Sequence, residues 1–422
     1  MGCMAQGRYN VHLEEKGRMK AITFVGRHHH TQKLWSIIDA LNHKGHTALL
    51  LTADNSINLD ANTEHLIGDG LPFIHVLDYL TPEDYKQIDL LTQQTLETIR
   101  RNGQEASLSE DAQVAIEPFW WVHSAREACQ SIVGFRNVIK QEKPDIVMAL
   151  HSNNFWGRMW LYCGEEAGLP TIAFQEGMLR VRDQKTSGKQ RLAQDHASRL
   201  FVWSDNAKKQ YMIAGVPEEK IVVTGQAHLD HWLGVKDNPE WHKQARAELG
   251  VGANQKLVTF AMPLLSRFEG NPQEALNVVR DWAVGKPHRV LLKLHPFDGL
   301  ESESKIKELY PELMVRRTGE ASPYMLLSSM VLTQHSTVAI EALAFDKPVV
   351  ELDMGSGVLE AKSAEGVAFM VKKNQMDKLD KILSGELKLD ADVLEAWKAE
   401  NLGSLDGHSV DRVVREIEGL LQ

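Results

Sequence analysis

Short apolar runs alternate with longer amphipathic stretches through most of the chain. Ala21–Val25 is an apolar run that stops at Gly26. A polar turn, Arg27-His28-His29-His30-Thr31, follows, and the spacing beyond it predicts a helix from Gln32 to about Asn42. Lys44-Gly45-His46 closes that helix and Thr47–Thr52 forms the next strand, a βαβ unit. Its glycine stands alone, without the G-x-G-x-x-G spacing of a dinucleotide site, so NAD is not expected. Pro72–Leu77 reads as a third strand. Thr81 to about Lys143 is mostly helical, interrupted at Glu117-Pro118-Phe119-Trp120-Trp121. Strands recur at Pro144–Leu150, Pro170–Phe174, Leu200–Trp203 and Ile221–Gly225, with a polar loop from Arg180 to His196. Residues 236–255 are polar and contain Pro239 and Gly250, which marks a boundary. A second series of strands begins at Lys256–Ala261 and continues at 290–294, 313–315, 330–333 and 348–352. The expected organisation is a loose tail over 1–18, one α/β domain over 19–235, a second over 236–375, and charged helices over 376–422 placed to cross back to the first. Strands alternating with helices predict parallel sheets.

Composition narrows the classes of function. The chain has 422 residues, 43% apolar and 25% charged, ordinary values for globular domains. A formal net charge of −10 argues against a general nucleic-acid binder. Cys3, Cys129 and Cys163 are far apart and form neither a disulfide nor a metal pattern, which fits a reducing cytosol. No apolar run is long enough to span a bilayer, and the start lacks a signal-peptide core. Gly2 suggests a myristoylation start, but Gln6 stands where Ser or Thr is needed. The expected setting is cytoplasmic, with peripheral association at the inner membrane face left open.

Two segments carry the sharpest chemical signal. In residues 331–350 a short strand leads through Gln334-His335-Ser336-Thr337 into an Ala/Leu-rich helix and a second buried strand, Pro348–Leu352. Hydroxyls and free backbone N–H groups at such a helix start suit an anion, usually a phosphate. In residues 289–299 a buried strand ends at His295-Pro296, which holds His295 at its carboxyl end. In an open parallel sheet that is the edge where ligands bind.

Several runs resemble a known superfamily. Val222-Val223-Thr224-Gly225-Gln226 resembles the exit strand that precedes the interdomain linker of GT-B glycosyltransferases. His295-Pro296 and Gln334–Thr337 resemble the His-Pro and Ser/Thr motifs of capsule, sialyl- and polysialyltransferase-like enzymes and of teichoic-acid glycerophosphotransferases. Glu341–Val350 resembles the Glu-Ala-Leu-Ala-x-Gly-x-Pro-Val-Val run of many such transferases, with Asp346 in place of the glycine. Phe174–Arg180 and Arg267–Gly270 look like runs of the UDP-N-acetylglucosamine 2-epimerases, whose Ser-Gly-Gly-x-Gln-Glu-Glu is replaced here by His335–Glu341. The resemblance implies an α/β protein of two Rossmann-like domains with parallel sheets facing a cleft, the GT-B arrangement. It further implies a metal-independent glycosyltransferase that moves a sugar from a UDP- or CMP-type nucleotide sugar to a glycan or lipid-linked acceptor in surface polysaccharide assembly. An epimerase-like enzyme, a CDP-glycerol glycerophosphotransferase and a non-catalytic GT-B binding module are the alternatives.

Sugar transfer needs a base for the acceptor hydroxyl and neutralisation of the leaving diphosphate. Arg267, Lys293, His295, Gln334, His335, Ser336 and Thr337 are the donor-binding candidates. Glu341 lies about one and a half helical turns past Ser336 and suits the ribose hydroxyls. Glu176, which ends a buried strand, is one candidate base; the His28–His30 turn, through His28 or His30, is the other. Arg27, His151 and Asn153 share that edge and are read as acceptor contacts, with Ser152 beside them. Trp120 and Trp121 fit core packing better than sugar stacking. No second cluster at ligand spacing accompanies the histidines, so no metal and no bound cofactor is expected.

Overall fold

The computed structural model describes residues 18–26, 28–53, 73–105, 119–150, 155–177, 197–262, 272–295, 298, 300–334, 338–355 and 362–421. Statements of structure below concern these residues.

The first half is a seven-stranded parallel sheet, β1 (Lys20–Phe24), β2 (Thr47–Thr52), β3 (Phe73–His75), β4 (Ile146–Leu150), β5 (Thr171–Phe174), β6 (Arg199–Val202) and β7 (Ile221–Val223), in the order β3-β2-β1-β4-β5-β6-β7. The second is a six-stranded sheet of β8 (Leu257–Ala261), β9 (Arg289–Lys293), β10 (Met314–Arg316), β11 (Met330–Thr333), β12 (Val349–Asp353) and β13 (Phe369–Lys372), in the order β10-β9-β8-β11-β12-β13. All pairings are parallel. Each sheet reverses its direction of growth once, between β1 and β4 and between β8 and β11, which opens a crevice above the strand ends there.

Alternation along the strands explains why both faces are covered. Ile22 and Phe24 enter one core with Phe135 and Trp160, while Ala21 and Val25 face the other with Leu34, Ile37 and Ile38. In the second sheet Met330 and Leu332 face one cluster and Val331 the opposite one. Strands buried on both sides read as continuous apolar runs, which is how they appear in the sequence.

Helices of the first half are α1 (His28–His43), α2 (Pro82–Glu105), α3 (Phe119–Glu142), α4 (Phe155–Glu166) and α5 (Asp205–Ile213). The helix predicted from Gln32 therefore starts earlier: His28–His30 form the first turn of α1, not a loop. Residues 236–255, read as boundary, contain the helix α7 (Pro239–Glu248), and α6 (Ala227–Val235) stands just before them. Asn238 caps α7 by accepting from Glu240 N and Trp241 N, both at 3.1 Å, and Pro239 pre-sets its first turn. The second half adds α8 (Pro272–Ala283), α9 (Leu300–Leu309), α10 (Ser322–Leu327), α11 (Val338–Ala344), α12 (Asp377–Ser384), α13 (Ala391–Asn401) and α14 (Ser409–Gly419).

Two stretches join the halves. The outgoing one is α6, which packs on α1 and α10; the returning one runs from α13, against α5, to α14, against α1 and α6. Val413, Val414 and Ile417 of α14 complete the first-half core with Met19 and Leu41. The two stretches meet at Gly225, whose φ is +87° and where a Cβ would stand 2.5 Å from Ser409 Oγ. Arg412 Nε donates to Thr224 O at 2.8 Å, and Val410 N to Asp230 Oδ2 at 2.7 Å.

Asp346, which replaces the glycine of the related run, adopts the left-handed conformation after α11 with φ +59°. Its carboxylate receives the ammonium groups of Lys236, just past α6, and Lys398 of α13. Burial alone would raise its pKa; the two lysines outweigh that and hold it below the usual carboxylate range. A side chain thus ties both joining stretches to α11, which glycine could not do.

Candidate functional site

On the first sheet the site is built at the ends of β1 and β5 and on the first turns of α1. His30 is 1% exposed. Its Nδ1 accepts the Gly26 N–H at 3.3 Å, an arrangement that suits the tautomer with the proton on Nε2. That nitrogen faces Glu176 Oε1 at 3.6 Å. Lys33, one turn along α1, donates its ammonium to the Glu176 main-chain oxygen and lies over the Trp203 ring, 5.7 Å from its centroid. Protein atoms crowd the ammonium and lower its pKa, and the charges of Glu176 and Glu341 oppose that shift. His228 of α6 is pushed down to about 3, by burial first and by Lys33 second, so it is neutral.

On the second sheet Glu341 of α11 accepts the Ser322 hydroxyl at 2.7 Å. Burial raises its pKa, offset in part by Ser322, Lys33 and Lys293. Glu320, in the turn before α10, accepts the Trp232 Nε1–H at 3.0 Å. Its pKa is raised to about 7 by burial, with Trp232 opposing and the charge of Glu341 adding. Lys33 is a cation on α1 that feels the charges of Glu176 in the first half and Glu341 in the second.

Other predicted residues are placed as follows. Lys293 is 4% exposed and gives its ammonium to Arg317 O at 2.6 Å and Leu294 O at 3.3 Å. His295 follows at half-buried depth, and its carbonyl accepts from Asp298 N at 2.9 Å. Gln334, at the end of β11, is 2% exposed, and its Oε1 has no hydrogen-bond partner. Arg27, His151, Asn153, Arg267, His335, Ser336 and Thr337 lie outside the described residues, and His28 is described only as the first residue of α1. The structure sets His30 beside Glu176, and Lys33 within electrostatic reach of both Glu176 and Glu341.

Lys33, Trp203, His228, Glu320 and Ser322 were not singled out in the sequence. Lys33 was findable, since it stands three residues after His30 and so shares its helix face. Glu320 carried no local signal, because Trp232 lies 88 residues before it. Among the described residues, no cluster of three or more His, Cys, Asp and Glu could hold a metal ion. No described helix is long and apolar enough to cross a membrane.

No protein-family model matches the chain, and no curated protein does. Solved structures do. A UDP-GlcNAc 2-epimerase from Neisseria meningitidis, bound to UDP-GlcNAc, superposes with a TM-score of 0.61 at 16% identity, covering 94% of this chain and 99% of that one. A putative UDP-N-acetylglucosamine 2-epimerase from Listeria monocytogenes gives 0.63 at 15%, covering 96% of each chain. CalG4, the calicheamicin glycosyltransferase, gives 0.54 at 12%, covering 96% and 98%. At these identities the likeness is one of fold: two parallel α/β halves in the GT-B arrangement.

Proposed function

We propose that this protein is a nucleotide-sugar glycosyltransferase in which Glu176 is the base that takes the proton of the acceptor hydroxyl. The observation that carries this reading is the hydrogen bond from Gly26 N–H to His30 Nδ1. With Gly26 N–H on Nδ1, the nitrogen facing Glu176 bears a proton and cannot accept another. His30 therefore orients the carboxylate, and Glu176 acts as the base. The half-buried Lys33 ammonium adds positive charge within reach of Glu176 and Glu341, where in this reading a leaving diphosphate gains negative charge in the transition state. In this reading Glu341 binds the ribose diol and His295 the diphosphate, with Arg267, Ser336 and Thr337 in the diphosphate role assigned from the sequence. The acceptor is a glycan or a lipid-linked glycan.

A second reading, epimerisation of the donor sugar, is favoured by one observation. Glu320 has a pKa of about 7, and a carboxyl poised there can release and recover a proton with no acceptor present. Free nucleotide measured with and without an acceptor panel separates the two. Acceptor-dependent release supports transfer, and a 2-epimer formed without acceptor supports the second reading.

A further inference from the structure

One residue beside the site has no chemistry in the proposed reaction yet touches Gln175, Lys33 and the returning stretch. Trp203 follows β6 and is buried. Its N–H donates to Gln175 Oε1 at 2.9 Å, and Gln175 Nε2 donates to Gly177 O at 2.9 Å, so both neighbours of Glu176 are tied to Trp203. Its ring lies beneath the Lys33 ammonium. Its carbonyl meets the returning stretch: a Cβ at Gly403 would stand 2.1 Å from Trp203 O, and Gly403 has φ +73°. Both facts demand glycine there, since the obstacle is backbone and the conformation is left-handed. The stretch is pinned just before this contact. Asn206 Nδ2 donates to Asn401 Oδ1 at 2.8 Å, and Gln226 Nε2 to Leu402 O at 3.3 Å. The cavity bounded by Lys33, Gln175, Trp203, Thr224 and His228 is about 20 Å³, room for about one water, so the ring has little freedom.

We infer that Trp203 is a positioning residue, which couples the returning C-terminal stretch at Gly403 to the placement of Glu176 and of the Lys33 ammonium. The inference rests on the reading of Glu176 as base. Three separate parts of Trp203 make the link. The carbonyl registers the stretch from the second half, the N–H fixes the turn that presents Glu176, and the ring face attracts the lysine cation. A shift of the halves that displaces Gly403 is thereby felt at the reacting groups, where errors near 1 Å cost about 100-fold in rate. The titratable groups around Lys33 are Glu176 after β5, His228 of α6 and Glu341 of α11.

The test uses the full chain and the variants Trp203→Leu, Trp203→Phe and Gly403→Ala. Acetylation of Lys33 by acetic anhydride, followed peptide by peptide in mass spectrometry across pH, needs no substrate. Trp203→Leu keeps apolar bulk but loses the ring, and moves the labelling midpoint down by about half a pH unit or more. Trp203→Phe keeps a ring and restores most of the midpoint. Gly403→Ala lowers kcat by roughly 10-fold or more, with donor KM within about twofold. A Trp203→Leu protein with the parental midpoint and kcat overturns the inference. A shifted midpoint together with no acceptor-dependent nucleotide release in the parent supports the positioning role and removes the transferase reading instead.

Discussion

Replacing Glu320 with glutamine is expected to stabilise the protein above neutral pH. The carboxyl is enclosed, accepts one hydrogen bond from Trp232 and faces the charge of Glu341, and its pKa rises from the ordinary 4.5 to about 7. The sign follows from proton binding. Below the unfolded value both states hold the proton and nothing is lost. Between 4.5 and about 7 the unfolded chain releases it while the folded chain keeps it, so stability falls as pH rises. At about 1.4 kcal/mol per unit the loss comes to about 3.5 kcal/mol; partial access to water at the cleft trims it to roughly 2 kcal/mol. Glutamine keeps the acceptor for Trp232 and never ionises, so it escapes this loss. Urea unfolding of both proteins at pH 5 and pH 8 reads the difference. The variant is expected to gain about 2 kcal/mol over the parent on going from pH 5 to pH 8. An equal gap at both pH values would refute the burial argument for Glu320. If the epimerase reading holds, the same variant also loses activity while gaining stability.

Two further outcomes follow from the same contacts. Asp346→Gly relieves a left-handed backbone worth about 1 kcal/mol but strips Lys236 and the nearly buried Lys398 of a partner, a loss of about 2 kcal/mol once the half-exposed carboxylate is discounted. Net destabilisation of about 1 kcal/mol is expected in urea melts, and a more stable glycine variant would show that the brace contributes nothing. His295→Ala is expected to raise donor KM and lower kcat together, reducing kcat/KM roughly 10- to 100-fold through loss of a charge-assisted hydrogen bond. Unchanged kinetics in the folded variant would remove His295 from the donor site.

Much of the fold was legible because two-sided burial writes itself as apolar runs. Ile146–Leu150 and Val349–Leu352 could hardly be anything but interior strands of a parallel sheet. The misreadings have physical causes. The stretch 236–255 looked like linker because Pro239–Glu248 is largely polar; the Asn238-Pro239 cap was the overlooked signal. Phe369–Lys372 escaped notice as a short edge strand with only Val371 fully buried. Glu176 and His30 were recognisable as sheet-edge chemistry, but starting the helix at Gln32 hid the face that His30 shares with Lys33. Nothing local marks Glu320 or Trp203, whose properties come from Trp232 and from Gly403, distant in sequence. Asp346 was visible as a departure from the related run, and only its two lysine partners explain why glycine is absent.

The central claim is that Glu176 removes the acceptor proton. It is tested most directly by comparing nucleotide release from a panel of nucleotide sugars, with and without acceptor, in the parent protein and in Glu176→Gln. The account predicts acceptor-dependent release in the parent, slowed about 100- to 10,000-fold in the variant, with donor affinity by calorimetry unchanged within about threefold. Donor affinity that collapses in Glu176→Gln, or release that proceeds at the parental rate, would contradict it.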